Sequence, residues 1–409
     1  MKNLGLFGLG VGIAVVGAGL PIDQAVAQSG DGAVVIELNT SERINHAGIK
    51  RAKGRLPILK NIPNLDSTRS SRGLKPTPPL VMVPKGSQER TSRNYGNYKF
   101  PHTTSAVAGL STPKKGGILH SNTSARPYLT TGKLYMQYSG GVGTCTGSMI
   151  GKGIVVTASH CIYSYGKKGS APKAVYFVPA ATANSLNSGP IGYWKASKIY
   201  LPQCYVNGNC TGSWYSNDVA LLKLAGKTSA LPYNKGAGQY GYATGTWGWS
   251  NGGSFINSKL WLAQITQLGY PANLGVSSSN PGSSMIRTDS IARYYLNGSA
   301  RNFLWGSGQT QGSSGGPILQ NFGRRPHVTA RGWKGHRPNA NILTGVTSYG
   351  INMPTGHLLG ATFWTTSVNY PSLYKDTAGK AWGYGPLGFL MRQVCGKGHG
   401  NLNATYCGY

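Results

Sequence analysis

Short apolar runs separated by turn-forming residues dominate the chain from about residue 119 onward. The stretch "KLYMQYSGG" alternates and then turns, which predicts a strand followed by a turn. Further β-branched or apolar cores, bounded by Gly, Asn or Ser, occur in "GKGIVVTASHC", "NDVALLKLAG", "GVTSYG" and "GATFWTTSV". No fixed repeat is evident. The pattern therefore predicts an all-β region of short strands joined by long loops.

The first 27 residues have the pattern of a secretory signal peptide. Lys2 supplies a positive start, residues 4–20 are apolar and uncharged, and Ala25 to Ala27 are small residues suited to cleavage before Gln28. The apolar run is short and rich in glycine, and no second run of spanning length follows, so we expect no membrane span. Export to the periplasm or the exterior is expected, where disulfides can form.

Residues 28–118 contain few regular patterns. The stretch "KPTPPLVMVPKG" holds four prolines, and six of the nine acids of the chain lie before residue 119. A polar, basic, Pro-rich stretch behind a signal peptide predicts a pro-segment or a disordered linker. A folded domain is expected over residues 119–409, with a C-terminal extension that ends in a loop between two cysteines.

The charge of the chain is strongly positive. It has 40 Lys and Arg against 9 Asp and Glu, a net charge of +31. Such a field attracts anionic polymers of a cell wall or surface, unless it is simply a solvated surface that selects nothing. The interleaving of basic and aromatic residues that marks a nucleic-acid module is missing, so no specific nucleic-acid partner is expected.

Six cysteines remain in the exported part, and fifteen pairings are open from the sequence alone. The stretch "CGKGHGNLNATYC" places His399 between two of them, which would also suit a metal site. Export and the lack of a CxxC pair favour disulfides, so we expect neither a metal nor a cofactor. The nearest-neighbour pairs are Cys145–Cys161, Cys204–Cys210 and Cys395–Cys407.

Few acids are available for catalysis after residue 119. They are Asp218, Asp289 and Asp376. Asp218 stands at the start of the apolar run in "SNDVALLKL", where an unpaired carboxylate would be costly to bury. Asp289 and Asp376 have Arg or Lys close by in sequence and are expected to be ordinary surface or turn acids. Asp218 is therefore the favoured candidate.

Six histidines follow residue 119, and His160 is the best placed among them. It ends the apolar strand "IVVTASH" and precedes Cys161. A titratable group at the tip of a buried strand suits a general base. His327 and His336 lie in a basic loop and are expected to be solvated.

The stretch "QGSSGGPILQ" predicts a tight glycine-rich turn around Ser313 and Ser314. In such a turn the N–H groups of Gly312 and Ser314 can point at one place and form an oxyanion hole. Taken alone, this motif is only moderately specific in a chain so rich in glycine.

Together "TASHC", "NDVALL" and "GSSGGP" occur in the order His, Asp, Ser, and over about residues 119 to 390 the chain resembles the trypsin-like serine endopeptidases. The resemblance implies a chymotrypsin-like fold of two antiparallel six-stranded β-barrels with the active site in the cleft between them. It also implies that His160 is the general base, Asp218 its orienting partner and Ser314 the nucleophile. The Cys145–Cys161 pair matches a disulfide of that family beside the histidine.

The chain departs from the pattern of trypsin or of the glutamyl endopeptidases at three positions. Ser313 replaces the aspartate that captures a freshly cut N-terminus, as in the bacterial branch that includes the glutamyl endopeptidases. Thr347 stands where those enzymes carry a histidine, and no acid marks the pocket floor at Gly308. The expected primary pocket has small or neutral residues, which favours apolar or aromatic side chains; besides the floor glycine it is formed by Ser348, Tyr349 and Gly350.

The favoured function is a secreted serine endopeptidase, expected to be a monomer, that acts on protein or peptide substrates. One alternative is a catalytically inactive relative that serves as an adhesin or binding module. Another is a cationic protein that binds a cell wall or other polyanion on a protease-like scaffold. The intact set of His160, Asp218 and Ser314 argues for the enzyme, because binding alone would not require all three.

Overall fold

The computed structural model describes residues 26–28, 32–59, 100–107, 123–243, 262–275, 280–297, 300–323, 340–353, 356–362, 367, 369–396 and 407. Strands predominate in these residues, and the helices are short. The strands are β1 (Val26–Gln28), β2 (Ala33–Glu37), β3 (Lys53–Gly54), β4 (His102–Ala106), β5 (Thr131–Tyr138), β6 (Gly141–Gly151), β7 (Ile154–Thr157), β8 (Ala174–Pro179), β9 (Trp194–Pro202), β10 (Ala220–Leu224), β11 (Gly241–Tyr242), β12 (Leu262–Gly269), β13 (Ile286–Asn297), β14 (Ala300–Gly306), β15 (Pro317–Gln320), β16 (Ile342–Val346), β17 (Tyr349–Met353), β18 (Gly356–Thr362), β19 (Leu373–Lys375) and β20 (Ala381–Tyr384). The helices are α1 (His46–Lys50), α2 (Ser159–Ile162), α3 (Gln203–Asn207) and α4 (Gly385–Cys395).

Six strands close into a first barrel. In the order β9, β10, β7, β6, β5 and β8 neighbouring strands pair antiparallel, and β8 returns to β9 where Tyr176 lies opposite Lys195. Closure leaves this ring of strands without a free edge. Fully buried apolar side chains such as Leu134, Val156 and Leu222 belong to its core. Each contributes about 1.5–3 kcal/mol by leaving water.

The second sheet follows the order β11, β16, β15, β12, β13, β14, β18 and β17. Its pairs are antiparallel except for β11 with β16, and among the described residues its path stays open. Phe303, Trp305 and Ile318 form part of its own buried cluster. The predicted chymotrypsin-like, all-β fold of two sheets is confirmed, with a closed first barrel and a second sheet that curls as a half-barrel.

Parts of residues 28–118 add strands to both sheets. Strand β2 pairs antiparallel with β9, β3 pairs parallel with β6, and β4 pairs antiparallel with β13. Val34 and Ile36 of β2 are each 1% exposed and belong to the core of the first barrel. The described parts of this segment are therefore integral to the fold.

The six cysteines form three disulfides in the nearest-neighbour arrangement, Cys145–Cys161, Cys204–Cys210 and Cys395–Cys407. The last of these ties the end of α4 to residue 407. Helix α4 begins with Pro386 in its first turn, where the missing N–H costs no hydrogen bond. Its apolar side chains, including Leu387 and Leu390, join the core that contains the first barrel. None of the helices in the described residues is both long and apolar enough to cross a bilayer.

A buried lysine connects the first barrel to the loop between β12 and β13 of the second sheet. Lys133 of β5 is 3% exposed, and its Nζ donates to Asn184 Oδ1 and to the Gly282 carbonyl, both at 2.6 Å. Asn184 in turn donates to Asn280 Oδ1 at 2.9 Å. Burial lowers the pKa of Lys133 to about 7, because desolvation penalises the charged form.

We expect Lys133 to make the protein more stable as the pH rises from about 7 toward 10.5, the ordinary pKa of lysine. Within this interval the unfolded chain binds one more proton than the folded chain, so removing protons favours folding. The free energy of unfolding should rise by up to about 1.4 kcal/mol per pH unit from this group. Urea unfolding across the interval measures it. Lys133→Met should flatten the slope and Lys168→Met, at an exposed position, should keep it; an unchanged slope in Lys133→Met would contradict this assignment.

Candidate active site

The loop between β14 and β15 carries the two serines of "GSSGGP". Gly312 and Gly315 have φ angles of +96° and +76°, in the left-handed region that glycine adopts without strain. A Cβ atom at Gly315 would overlap the Thr157 hydroxyl of β7, so this position also lacks room for any other residue. Ser314 has no exposed surface. The turn is therefore held in one conformation against the first barrel.

Thr146 of β6 fastens this loop to the first barrel. Its N–H donates to the Ser314 carbonyl at 2.8 Å, and its hydroxyl donates to the Gly312 carbonyl at 2.9 Å. The same hydroxyl accepts the N–H of Tyr270 at 3.1 Å, while the Thr146 carbonyl accepts the Thr157 hydroxyl at 2.8 Å. Thr146, a buried residue, thus holds the serine turn in position against the first barrel.

His160 lies in α2, the short helix that follows β7. The Cys145–Cys161 disulfide ties this helix to β6. The Ser159 hydroxyl donates to the Val219 carbonyl at 2.8 Å, which joins the helix to the segment that carries Asp218. His160 is 8% exposed.

Asp218 follows a single 3-10 turn, Trp214–Asn217, and precedes β10. Trp214 packs edge-on against Tyr205 of α3, with ring centroids 6.4 Å apart. Helix α3 ends at Gly208 in the left-handed conformation and is closed by Cys204–Cys210. The structure thus places the "CYVNGNC" loop beside the turn before Asp218.

One chain of hydrogen bonds joins the three candidate residues. His160 Nε2 lies 2.7 Å from Ser314 Oγ, and His160 Nδ1 lies 2.8 Å from Asp218 Oδ2. The backbone N–H of His160 donates to Asp218 Oδ1 at 2.9 Å, and the Ser348 hydroxyl donates to Asp218 Oδ2 at 2.5 Å. The carboxylate side chain of Asp218 has no exposed surface and has the partners that a buried charge needs. A hydroxyl beside an imidazole that is oriented by a carboxylate can act as an activated nucleophile.

The remaining acids have structural contacts. Asp289 pairs with Arg287 at 2.7 Å and accepts the Thr266 hydroxyl at 2.6 Å. Asp376 accepts the N–H of Ala378 within a turn and the indole N–H of Trp382. These contacts agree with their expected role as surface or turn acids. His120, His327, His336, His399 and the side chain of His357 lie outside the described residues.

Among the described residues, Cys145, His160 and Cys161 form a group of potential metal ligands whose ligand atoms lie within 4.8 Å of one another. The two sulfur atoms are bonded to each other, so neither is a thiolate ligand. Both ring nitrogens of His160 already have hydrogen-bond partners in Asp218 and Ser314. This grouping is therefore a disulfide beside a histidine.

Two of the expected pocket residues use their side chains inside the protein. The Ser348 hydroxyl is committed to Asp218, and the Tyr349 ring is buried against Tyr215 with centroids 5.0 Å apart. The Gly308 carbonyl accepts the side-chain N–H of Asn273 at 2.9 Å. Gly350 presents its N–H and carbonyl to residues of the N-terminal segment.

The two positions that depart from the trypsin and glutamyl endopeptidase patterns are buried and satisfied. The Ser313 hydroxyl donates to the Thr310 carbonyl at 2.8 Å. The Thr347 hydroxyl accepts from the Gln267 side chain at 3.0 Å and donates to the Gly316 carbonyl at 3.3 Å. Neither side chain has any exposed surface. Neutral hydroxyls at both positions are therefore part of the packing of the serine loop.

Arg55 is a site residue that the sequence pattern missed. Its carbonyl accepts the N–H of Gly312 at 3.1 Å, and its guanidinium donates to the His160 carbonyl at 3.0 Å. The residue lies in a stretch with no strand or helix pattern, far from the motifs in sequence. No signal in the sequence connects the two regions.

Residues 121–369 match the family model described as Trypsin, which covers more than half of the chain. The chain therefore belongs to the trypsin family, the class that its fold and its Ser-His-Asp geometry define.

The sequence is similar to a glutamyl endopeptidase from Bacillus licheniformis, with 28% identity over 178 residues. That alignment covers 43% of this chain and 45% of the relative, so the chain spans less than half of the length of the relative it matches. The predicted relationship to the glutamyl endopeptidases is confirmed by this similarity.

Solved structures of proteases are also similar. A thermostable serine protease, AL20, from an extremophilic microorganism has a TM-score of 0.41 and 17% identity, over 57% of this chain and 91% of that one. The protease Anisep from Arthrobacter nicotinovorans has a TM-score of 0.40 and 20% identity, over 59% and 92%. A Glu endopeptidase has a TM-score of 0.41 and 17% identity, over 64% and 91%.

Proposed function

We propose that this protein is an exported serine endopeptidase that hydrolyses peptide bonds through an acyl-enzyme formed on Ser314. The observation that carries the proposal is the buried, unbroken chain of hydrogen bonds from Ser314 through His160 to Asp218. It lies between the two sheets of a trypsin-family chain. A binding module would need the fold but not this alignment of a hydroxyl, an imidazole and a carboxylate.

Each of the three residues has a distinct task in the proposed reaction. Ser314 Oγ attacks the carbonyl carbon of the peptide bond while His160 Nε2 accepts its proton. The protonated His160 then donates that proton to the nitrogen of the leaving amine, and the acyl group stays on Ser314 as an ester. Water, deprotonated by His160, hydrolyses the ester. Asp218 holds the imidazole in the tautomer with hydrogen on Nδ1 and stabilises the imidazolium.

The N–H groups of Gly312 and Ser314 are the proposed oxyanion hole. Donors that are already aimed at the developing negative charge lower the barrier without reorganising. The Gly312 N–H donates to a peptide carbonyl, that of Arg55, in this structure, which supports a role in binding carbonyl oxygens.

Residues 28–118 are proposed to be a pro-segment behind the signal peptide of residues 1–27. The pairing of β2 with β9 and the ion pair of Glu37 with Lys198 at 2.5 Å support a segment that packs on the domain rather than a linker.

N-terminal sequencing of protein recovered from the periplasm and from the medium of an expressing host tests this assignment. We expect the exported, active form to begin near residue 119, because the pro-segment has then been cleaved from the domain. An active form that begins near Gln28 would contradict it.

Ser314→Ala should reduce cleavage of a peptide library by more than about 10³-fold, because the nucleophile is lost. Ser313→Ala should keep most of the activity, since that hydroxyl donates to the Thr310 carbonyl and not to His160. The cleaved sites should carry apolar or aromatic residues before the bond, given the neutral pocket proposed around Gly308 and Gly350. A fluorophosphonate probe provides a second readout on processed protein. Reversal of the two mutants would show that Ser313 is the nucleophile, and absence of labelling of the processed chain without either substitution would refute the enzyme.

A second function, attraction to anionic cell-wall or surface polymers, is supported by the net charge of +31. The protein should bind a polyanionic column at low salt, because it would displace the counterions of the polymer. Retention should be lost by about 0.5 M salt, which is the behaviour of a plain electrostatic contact. A neutral column of the same matrix is the control. Failure to bind at low salt would exclude this function.

A further inference from the structure

Residues 53–59, named the strap here, cross the cleft between the two sheets. At one end β3 pairs in parallel with Gly143 and Thr144 of β6 in the first barrel. At the other end Ile58 forms a parallel bridge with Gly350 of β17 in the second sheet. Ser314 and His160 come from these same two sheets, so the strap runs over the place where they meet.

We propose that the strap is an internal inhibitor that occupies the peptide-binding cleft of the folded chain, an inference that rests on the proposed protease function. An extended peptide binds a sheet edge mainly through backbone hydrogen bonds. The strap already holds such bonds, so a substrate must displace it before Ser314 can react.

The strap forms hydrogen bonds with the backbone groups that face the cleft. The Gly350 N–H donates to the Pro57 carbonyl at 2.8 Å, and the Gly350 carbonyl accepts the Leu59 N–H at 2.9 Å. The Gly312 N–H, one of the two proposed oxyanion donors, donates to the Arg55 carbonyl at 3.1 Å. While these bonds persist, Gly312 cannot receive the carbonyl oxygen of another peptide.

Side chains of the strap add further contacts on both sides of the cleft. The Arg55 guanidinium donates to the His160 carbonyl at 3.0 Å and lies 4.5 Å from the centroid of the Tyr138 ring. Leu56 and Leu59 pack against two apolar clusters of the second sheet. The strap is thereby held across the cleft rather than at one edge only.

The direction of the strap explains why it would resist cleavage. Residues before Arg55 pair with β6, the strand that the Cys145–Cys161 disulfide ties to His160. Residues after Arg55 run to β17 in the second sheet. If Ser314 attacked the Arg55 carbonyl, the leaving nitrogen of Leu56 would point toward β17 and away from the barrel that carries the proton donor.

Contacts made by residues before the strap keep it at a high effective concentration near the cleft. Ile49 of α1 is 3% exposed in the core, and the N–H of Asn45 donates to the Gln137 side chain at 2.9 Å. A tethered ligand rebinds as an intramolecular partner, which strengthens weak contacts without new ones.

Gly54→Val in the full chain tests the proposal. A Cβ at Gly54 would lie 2.5 Å from the Gln311 carbonyl carbon and 2.6 Å from the Gly312 nitrogen, so the strap must move off the serine loop. A cavity beside the strap is lined by Gly54, Arg51 and Gly140. Gly140→Val is the matched control, because Gly140 lines this cavity and has nothing within 4 Å of its added Cβ. We expect Gly54→Val to label at Ser314 with a fluorophosphonate roughly tenfold faster or more than the unchanged chain. Gly140→Val should match the unchanged chain.

A second pair of variants acts on the side chain of the strap. Arg55→Ala removes the contacts with His160 and Tyr138 and should also speed labelling, while Arg51→Ala, at an exposed residue of the same cavity, should not. The synthetic peptide KGRLPIL, which copies residues 53–59, should slow the labelling of Gly54→Val, and the same residues in reversed order should not. Inhibition by a separate peptide of this sequence is expected only if the strap inhibits from within the cleft.

Two results would refute inhibition by the strap and leave the proposed protease function intact. One is equally fast labelling of the unchanged chain, Gly54→Val and Arg55→Ala. The other is cleavage inside residues 53–59 that disappears in Ser314→Ala, because the strap would then be a substrate. Failure of all chains to label at Ser314, in folded protein, would instead refute the protease and the strap together.

Discussion

The hydrogen bonds of Thr146 are the constraint on which the site depends. Ser314 belongs to the second sheet, whereas His160 and Asp218 belong to the first barrel, so the reacting atoms meet only if the two sheets keep a fixed offset. Thr146 sets this offset, since its N–H and its hydroxyl hold the carbonyls of Ser314 and Gly312. The glycine at position 315 then allows close contact with Thr157, and the 2.7 Å distance between His160 and Ser314 follows.

Sequence patterns predicted the site residues that stand in short motifs. They missed the residues whose role comes from contacts between segments that are distant in sequence. His160, Asp218 and Ser314 stand in short motifs whose order alone indicates the family, and the structure brings their side chains together. Thr146 sits in an ordinary strand, so nothing near it in sequence reveals its role. The sequence placed Ser348 in the expected pocket but gave no sign that its hydroxyl, just before β17, donates to Asp218. The strands of residues 28–118 were missed because they are only two to five residues long and β2 stands alone between polar flanks.

The N-terminal segment combines two kinds of contact with different strengths. Val34 and Ile36 of β2 are almost fully buried, so β2 can leave only by opening the barrel core. Most of the strap is half-buried, and it contacts the cleft through a few backbone bonds, two leucines and the Arg55 side chain. Local opening is cheapest where buried apolar contacts are few. The strap can therefore detach while β2 remains in place. Access to the cleft then does not require the barrel core to open.

Scarcity of acids connects the chemistry of the site to the charge of the protein. After residue 119 the chain has three carboxylates, and each already has partners: Asp218 in the site, Asp289 with Arg287, and Asp376 in a turn. A pocket for Lys or Arg side chains would need a fourth, and a trypsin-type latch at Ser313 a fifth. The same scarcity leaves the basic residues of the domain with few counter-charges, apart from acids of the N-terminal segment such as Glu37. Residues 28–118 carry 15 Lys and Arg against five Asp and Glu, and residues 119–409 carry 24 against three. The domain therefore keeps a net charge of +21 without its N-terminal segment, so its attraction to an anionic surface does not depend on whether the strap is in place.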